Sequence, residues 1–360
     1  MQVQPKVHYF LGANSPTGFY SLYDQLIDRE EAQELFILKG GPGCGKSSLM
    51  RRVGAAMEEH GLEVEYIDCS GDPDSLDAVV IPALKTAVVD GTAPHVVEPR
   101  YPGLVESYVN LGACYDRDGL LTVKDELKGC MKGYKGCYQR AYRCLTAAAQ
   151  LAEDNRSLLL TQSLEDKLAR RAKGILSREM RGEGDQAGRS VQRFLSGITW
   201  KGPLWNFDTV ELLCERVYEL SDPWGLAHGM LVQLAAGAMA SGRDVIVCPS
   251  PLCPDRMEHL LIPALSLAFG PTTPANPWPH KPYRRIRIDG MADPELTRRN
   301  RARLRFARRV AAALTEEAVD ALAQAKGMHD ELEQLYNPHV DFPQVYAMAD
   351  GLIRHLEERL

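Results

Sequence analysis

The segment Gly40-Gly41-Pro42-Gly43-Cys44-Gly45-Lys46-Ser47 restricts the fold more than any other part of the chain. It is a complete Walker A pattern, set between a short apolar run, Leu35-Phe36-Ile37-Leu38-Lys39, and a helical stretch that begins Leu49-Met50-Arg51-Arg52. Glycines let such a loop curl so that successive N–H groups face phosphate oxygens, and the following helix adds the positive end of its dipole. In that arrangement Lys46 reaches the β- and γ-phosphates and the Ser47 hydroxyl takes Mg2+. The pattern therefore predicts a cradle of Gly40, Gly41, Pro42, Gly43, Cys44, Gly45, Lys46, Ser47 and Ser48 for a nucleoside triphosphate, ATP, with Mg2+. Cys44 reads as a small space-filling residue within it.

Downstream, Leu62–Asp68 reads as a second strand that ends in an acid. Asp74 is placed to cap a helix over Ser75-Leu76-Asp77-Ala78-Val79-Val80, and Thr86-Ala87-Val88-Val89-Asp90 reads as a third strand. Ligands of open α/β sheets bind at the carboxyl ends of strands, so Asp90 fits the role of a Walker B acid that holds the metal. Asp68 and Asp72 are alternative carboxylates. His95 and Thr92 lie just past the third strand, where P-loop proteins place groups that sense the γ-phosphate or polarise water. Lys46, Asp90, Asp68 and His95 are thus the catalytic candidates, and Ser47 with Asp90 the metal ligands. No glutamate follows Asp90, so the base is left unassigned.

Self-comparison reveals a repeat. Gly61–Leu84 laid on Gly242–Leu265 without gaps gives eight identities in 24 positions, among them Pro73-Asp74 on Pro254-Asp255 and Ile81-Pro82-Ala83-Leu84 on Ile262-Pro263-Ala264-Leu265. With a three-residue shift, Gly18 falls on Gly202 and Phe10 on Phe194. The same register puts Gly45, Lys46 and Ser47 on Leu226, Ala227 and His228, and Asp68, Asp72 and Asp90 on Pro249, Cys253 and Pro271. A second copy without the lysine, the hydroxyl and these acids cannot cradle a Mg-bound triphosphate in the usual way. Alanine- and leucine-rich segments around Ala141–Leu151 and Ala318–Met328 suit long helices, one after each unit.

These features resemble a poorly characterised bacterial family of tandem P-loop ATPases, also labelled nucleotide-kinase-like. The likeness rests on the loop at 40–47, on Cys69-Ser70-Gly71-Asp72-Pro73-Asp74-Ser75-Leu76-Asp77, and on Asp90-Gly91-Thr92-Ala93-Pro94-His95 with Pro99–Gly103, and it extends through His329–Glu333. It implies an α/β chain of two tandem P-loop NTPase-like domains, with mostly parallel sheets flanked by helices, plus long helical segments. In the family the second half usually keeps a recognisable loop; this chain departs there. The expected organisation is an intact P-loop domain at 1–135, a helical segment at 136–185, a degenerate domain at 186–313 and a C-terminal helical segment at 314–360.

Nothing in the composition conflicts with a folded, water-exposed protein: 45% hydrophobic and 25% charged residues are close to the average for globular domains. A net charge of −6 gives no general attraction to polyanions. The run Arg298–Arg309 reads first as a solvated face and second as a nucleic-acid contact, with Phe306 its one interleaved aromatic. The nine scattered cysteines form no disulfide framework or CxxC zinc pattern, no apolar leader follows Met1, and no apolar run is long enough to span a membrane, so the expected location is the cytoplasm. A protein partner for the helical segments and an oligomer remain open. The leading expectation is Mg-dependent ATP hydrolysis by the first domain, with the second as a lid whose Arg256, Arg284 or Arg285 approaches the nucleotide. The alternatives are a small-molecule kinase and a nucleotide-dependent switch or scaffold with little turnover.

Overall fold

The computed structural model describes residues 6–180, 182, 184, 186–272 and 277–360. In the first half, β1 (Val7–Phe10), the hairpin β2 (Gly12–Ser15) and β3 (Gly18–Ser21), β4 (Glu34–Lys39), α1 (Lys46–Glu59), β5 (Glu65–Asp68), β6 (Leu76–Ile81), β7 (Thr86–Asp90) and β8 (Glu106–Asn110) lead into α2 (Arg117–Thr122), α3 (Lys124–Leu159) and α4 (Gln162–Glu179). The second half runs β9 (Ser190–Gln192), the hairpin β10 (Ser196–Thr199) and β11 (Gly202–Trp205), α5 (Phe207–Leu213), β12 (Arg216–Ser221), α6 (His228–Ala240), β13 (Val245–Ser250), β14 (Cys253–Ile262), β15 (Leu267–Thr272) and β16 (Arg284–Arg287). It closes with α7 (Pro294–Arg299), α8 (Arg301–Tyr336) and α9 (Phe342–Glu357).

Each half carries a six-stranded sheet. The first is ordered β1-β5-β6-β7-β4-β8 and the second, read from its inner edge, β9-β13-β14-β15-β12-β16, so corresponding strands hold corresponding places. Both sheets are mixed, contrary to the mostly parallel sheets expected. β6 pairs antiparallel with β5 and β7, and β14 does the same with β13 and β15, while the other pairs are parallel. The difference comes from the strand Leu76–Ile81, most of which falls within the segment Ser75–Val80 read above as helix. All six residues are buried and Val79, Val80 and Ile81 are β-branched, so the segment fills a strand enclosed on both faces. A single 3-10 turn, Pro82–Leu84, then reverses the chain into β7, with Lys85 in left-handed backbone at φ 48; Pro263–Leu265 and Ser266 at φ 51 repeat that device in the second half.

The long helices decide how the halves are joined. α3 and α8 have 36 residues each, about 54 Å at 1.5 Å per residue. They lie antiparallel, with Ala141 and Leu145 against Ala318, Ala321 and Leu322, Arg140 paired to Glu317 near the middle, and Arg303 to Asp154 at 2.5 Å toward one end. Small residues at the seam let the helices approach closely. Both helices start ahead of the boundaries expected at 136 and 314.

Each arm then docks on the opposite half. α4, which follows the first unit, buries Leu164, Leu168, Ala172 and Ile175 against Met230, Leu231 and Leu234 of α6. α9 returns to the first unit and packs Val345, Ala349, Leu352 and Leu356 on Leu49, Met50, Val53 and Met57 of α1. Burying a large aliphatic side chain is worth about 1.5–3 kcal/mol, so three such positions and an alanine hold each arm in place. The two units also share a core in which Phe10 and Phe194 exchange backbone hydrogen bonds, both at 2.9 Å.

Candidate functional site

β4 is buried at Leu35, Ile37 and Leu38 and ends at Lys39; after the six residues 40–45, α1 begins at Lys46. The loop between them needs glycine at two positions, since Gly43 has φ 68 and Gly45 has φ 87. Other side chains are strained in that region. Cys44 is fully buried under the loop, and desolvation pushes its thiol pKa up, which fits a filler rather than a reactive thiol.

Lys46 folds back over this loop. Its ammonium donates to the carbonyls of Gly40 and Gly41, both at 2.8 Å, and lies 3.6 Å from Asp90 Oδ2. An ammonium has three donors, so this geometry fixes its position and leaves one direction for an anion. Asp90 Oδ1 accepts from the Thr92 amide at 2.8 Å and its hydroxyl at 2.5 Å, which orients Oδ2 toward Lys46. Ser47 Oγ accepts from the Leu76 amide at 2.9 Å, which pins that hydroxyl beside the start of β6. Lys46, Ser47 and Asp90 are therefore gathered at one sheet edge, and Ser47 with Asp90 are the groups available to a hard cation there.

The other candidates separate. Asp68 accepts from His8 at 2.8 Å and from Asn206 at 3.4 Å, and does not contact Lys46. Asp72 is held by Ser75 at 2.8 Å and lies 3.5 Å from Lys326 of α8. His95 is buried between Phe19 and Tyr23, with Nε2 3.2 Å from Asp77 and Nδ1 without a partner. Asp77 was hidden in the segment misread as helix. It also accepts from the Tyr23 hydroxyl at 2.7 Å, and burial holds its carboxyl above the usual range although His95 and Tyr23 pull it down. Ligand atoms of Cys69, Asp77 and His95 all lie within 4.8 Å of one another, as do those of His329, Asp330 and Glu333 on α8. The internal repeat held a signal for Asp77, since the gap-free register places it on another acid, Glu258.

The loop is roofed by the distant arm. The Asn337 side-chain amide donates to Gly43 O at 2.9 Å and to Glu333 O at 3.2 Å; a methyl group on Gly43 would lie 2.5 Å from that amide and 3.3 Å from the Glu333 backbone, and one on Gly45 would lie 3.3 Å from Val345. The Tyr115 hydroxyl donates to Pro42 O at 3.3 Å. No local pattern in the sequence links residues 43 and 337.

At the second loop, the matching conformations Gly43 (φ 68) and Gly225 (φ 66), together with the helix starts Lys46 and His228, shift the correspondence by one residue from the expected register. The repeat loses its residue within α6, which has 13 residues against 14 in α1. Lys46 thus matches His228 rather than Ala227, and Ser47 matches Gly229. Gly40 matches Asp222, whose carboxylate accepts from the Leu226 amide at 2.9 Å and the Ala227 amide at 2.7 Å. The second loop therefore encloses an anion of its own. The corresponding amides of the first loop, at Cys44 and Gly45, have no acceptor among the described residues.

Arg156 from the end of α3 and Arg256 surround the self-filled loop: Arg256 donates to Gly225 O at 3.1 Å, and a methyl group on Gly225 would lie 3.0 Å from Arg156 Nη1. Burial and these two guanidiniums hold the His228 pKa down. Arg256 is thus engaged at its own loop and Arg285 is paired to Glu219 at 2.7 Å, so neither reaches the first loop as expected. Comparison with protein-family models, curated proteins and solved structures gives no match for this chain.

Proposed function

We propose that the first unit binds ATP with Mg2+ at residues 40–48 and hydrolyses it, and that the second unit is a duplicated P-loop NTPase-like copy that has given up nucleotide. The observation that carries this reading is the contrast between the loops. In one, a buried carboxylate satisfies the amides at 226 and 227; in the other, the amides at 44 and 45 meet no protein acceptor among the described residues and sit beside a lysine held 3.6 Å from an acid. A polyphosphate supplies the acceptors that the first loop lacks, Lys46 neutralises its outer charge, and Ser47 with Asp90 hold the cation. With no glutamate after Asp90, the buried pair His95 and Asp77, 3.2 Å apart, is assigned to handle the proton of an attacking water.

Calorimetric titration with ATP and with GTP, with and without Mg2+, followed by a phosphate-release assay, tests the reading. Lys46→Ala should lower affinity by about a hundredfold, the worth of two charge-assisted contacts, and remove turnover. Unchanged phosphate release from a purified variant would defeat it.

The contact of Gly43 with Glu333 and Asn337 favours a second reading, in which nucleotide binding moves α8 and α9 for a partner and turnover is slow. Tight ATP binding with background phosphate release selects that reading, whereas rapid multiple turnover rejects it.

A further inference from the structure

The chain is acidic overall, at −6, yet Lys281–Arg309 holds eleven lysines and arginines against three acids. All eleven are exposed. Four meet carboxylates: Arg285 on Glu219, Arg298 and Arg299 on Glu295, and Arg303 on Asp154. The other seven have no carboxylate partner among the described residues. Like charges crowded on one surface repel, and an acidic chain has acids to place beside them; for seven of the eleven, none stands there among the described residues.

Tertiary structure adds a second row of cations to this segment. Lys167 of α4 donates to the Met291 carbonyl at 3.0 Å, and Arg178 donates to the Tyr218 hydroxyl at 2.9 Å. The Tyr218 ring meets Tyr283 edge-on at 5.5 Å, and Tyr283 in turn carries Arg284 over its face. Alongside, a surface cleft of about 410 Å3 is walled by Lys167, Arg170, Arg171 and Arg178 above Ile175 and Met291. Lys167, Arg171 and Arg178 recur at i, i+4 and i+11, so they share a side of α4 and spread over about 16 Å of its axis. At roughly 3.4 Å of rise per nucleotide, that length matches about five phosphates of one duplex strand.

From this arrangement we propose that the face made by α4, β16 and the start of α8 binds the phosphodiester backbone of nucleic acid. Ten of the eleven cations in the segment are arginine, whose planar fork matches phosphate oxygens in pairs. Phe306 is a large exposed ring on the same segment, at 58%, and offers a base a stacking surface. The proposal is independent of the nucleotide reading, because none of these residues belongs to either loop.

Fluorescence anisotropy of the full chain, without nucleotide, against labelled single strands and duplexes of about 20 nucleotides across a salt series tests it. The expected result is binding that weakens with a log–log salt slope of about −3 to −5. Arg170→Glu/Arg171→Glu and Arg305→Glu/Arg309→Glu should each cost at least about tenfold in affinity and flatten that slope, at unchanged melting temperature because these side chains are exposed. Lys46→Ala should leave oligonucleotide binding intact. Three results would each overturn the proposal: no binding at low salt, charge-reversal variants that bind like the parent, or polyglutamate or anionic vesicles captured as tightly as the oligonucleotides.

Discussion

Replacing Asp222 with glycine tests directly whether the second loop is occupied by its own carboxylate. The substitution removes the acceptor of two short bonds, 2.9 Å from the Leu226 amide and 2.7 Å from the Ala227 amide. Each stranded buried amide costs about 1–3 kcal/mol, so the loss amounts to about 2–6 kcal/mol. Relief of carboxylate burial offsets part of that, since desolvation holds the Asp222 pKa above its usual range despite the bonds it accepts. A net loss of about 3 kcal/mol is expected, read as a lower midpoint in urea. An emptied cradle should also accept a free anion. Inorganic phosphate at about 100 times its dissociation constant then returns about 2.7 kcal/mol. The assay belongs in a Lys46→Ala background, so that the first loop contributes nothing. Equal urea midpoints for the parent and the Asp222→Gly variant, or equal stabilisation of both by phosphate, would refute the account of a self-filled loop.

Gly43→Ala puts a methyl group 2.5 Å from the Asn337 side-chain amide and a side chain at φ 68, so it should weaken ATP binding by at least about tenfold and loosen the arm, seen as faster hydrogen exchange in α9. Glu258 is half-buried near Asp222, with desolvation pushing its pKa up to about 7, and accepts from the Ser196 hydroxyl at 2.7 Å. Because the folded value lies above the unfolded one, this group stabilises the protein fully below about pH 4.5 and loses that contribution as pH rises through 7, on the order of 3 kcal/mol. Glu258→Gln should remove this part of the pH dependence in urea melts; buried His259, pushed down to about 3, titrates in both proteins and cancels in the comparison. His95→Gln should retain ATP affinity and lower phosphate release at least about tenfold if the imbalance at Nδ1 marks a proton acceptor, and unchanged release would remove His95 from the chemistry.

The loop at 40–47 was legible because strand, glycine spacing and helix are encoded within about 20 contiguous residues. Asp90 could be placed beside Lys46 for a similar reason: β7 pairs with β4 in parallel, Leu38 opposite Asp90. The reading of Ser75–Val80 as helix failed because Asp74 looks like a cap, while the β-branched run behind it is resolved only by burial on both faces of a mixed sheet. Identity alone misplaced the second loop by one residue, since nothing in a degenerate sequence marks where a residue was lost; the paired φ values of Gly43 and Gly225 do.

Taken alone, the sequence determined the glycine-rich turn between strand and helix in the first unit, the matching segments that recur in the second half and the helical character of the arms, all of them patterns carried by local spacing. Only the tertiary structure decided that each arm crosses to the other half, that Glu333 and Asn337 meet Gly43, and that a carboxylate fills the second loop. The physical reason is distance along the chain: packing across nearly 300 residues depends on which apolar faces and charges find each other in space, and no short-range periodicity records that choice.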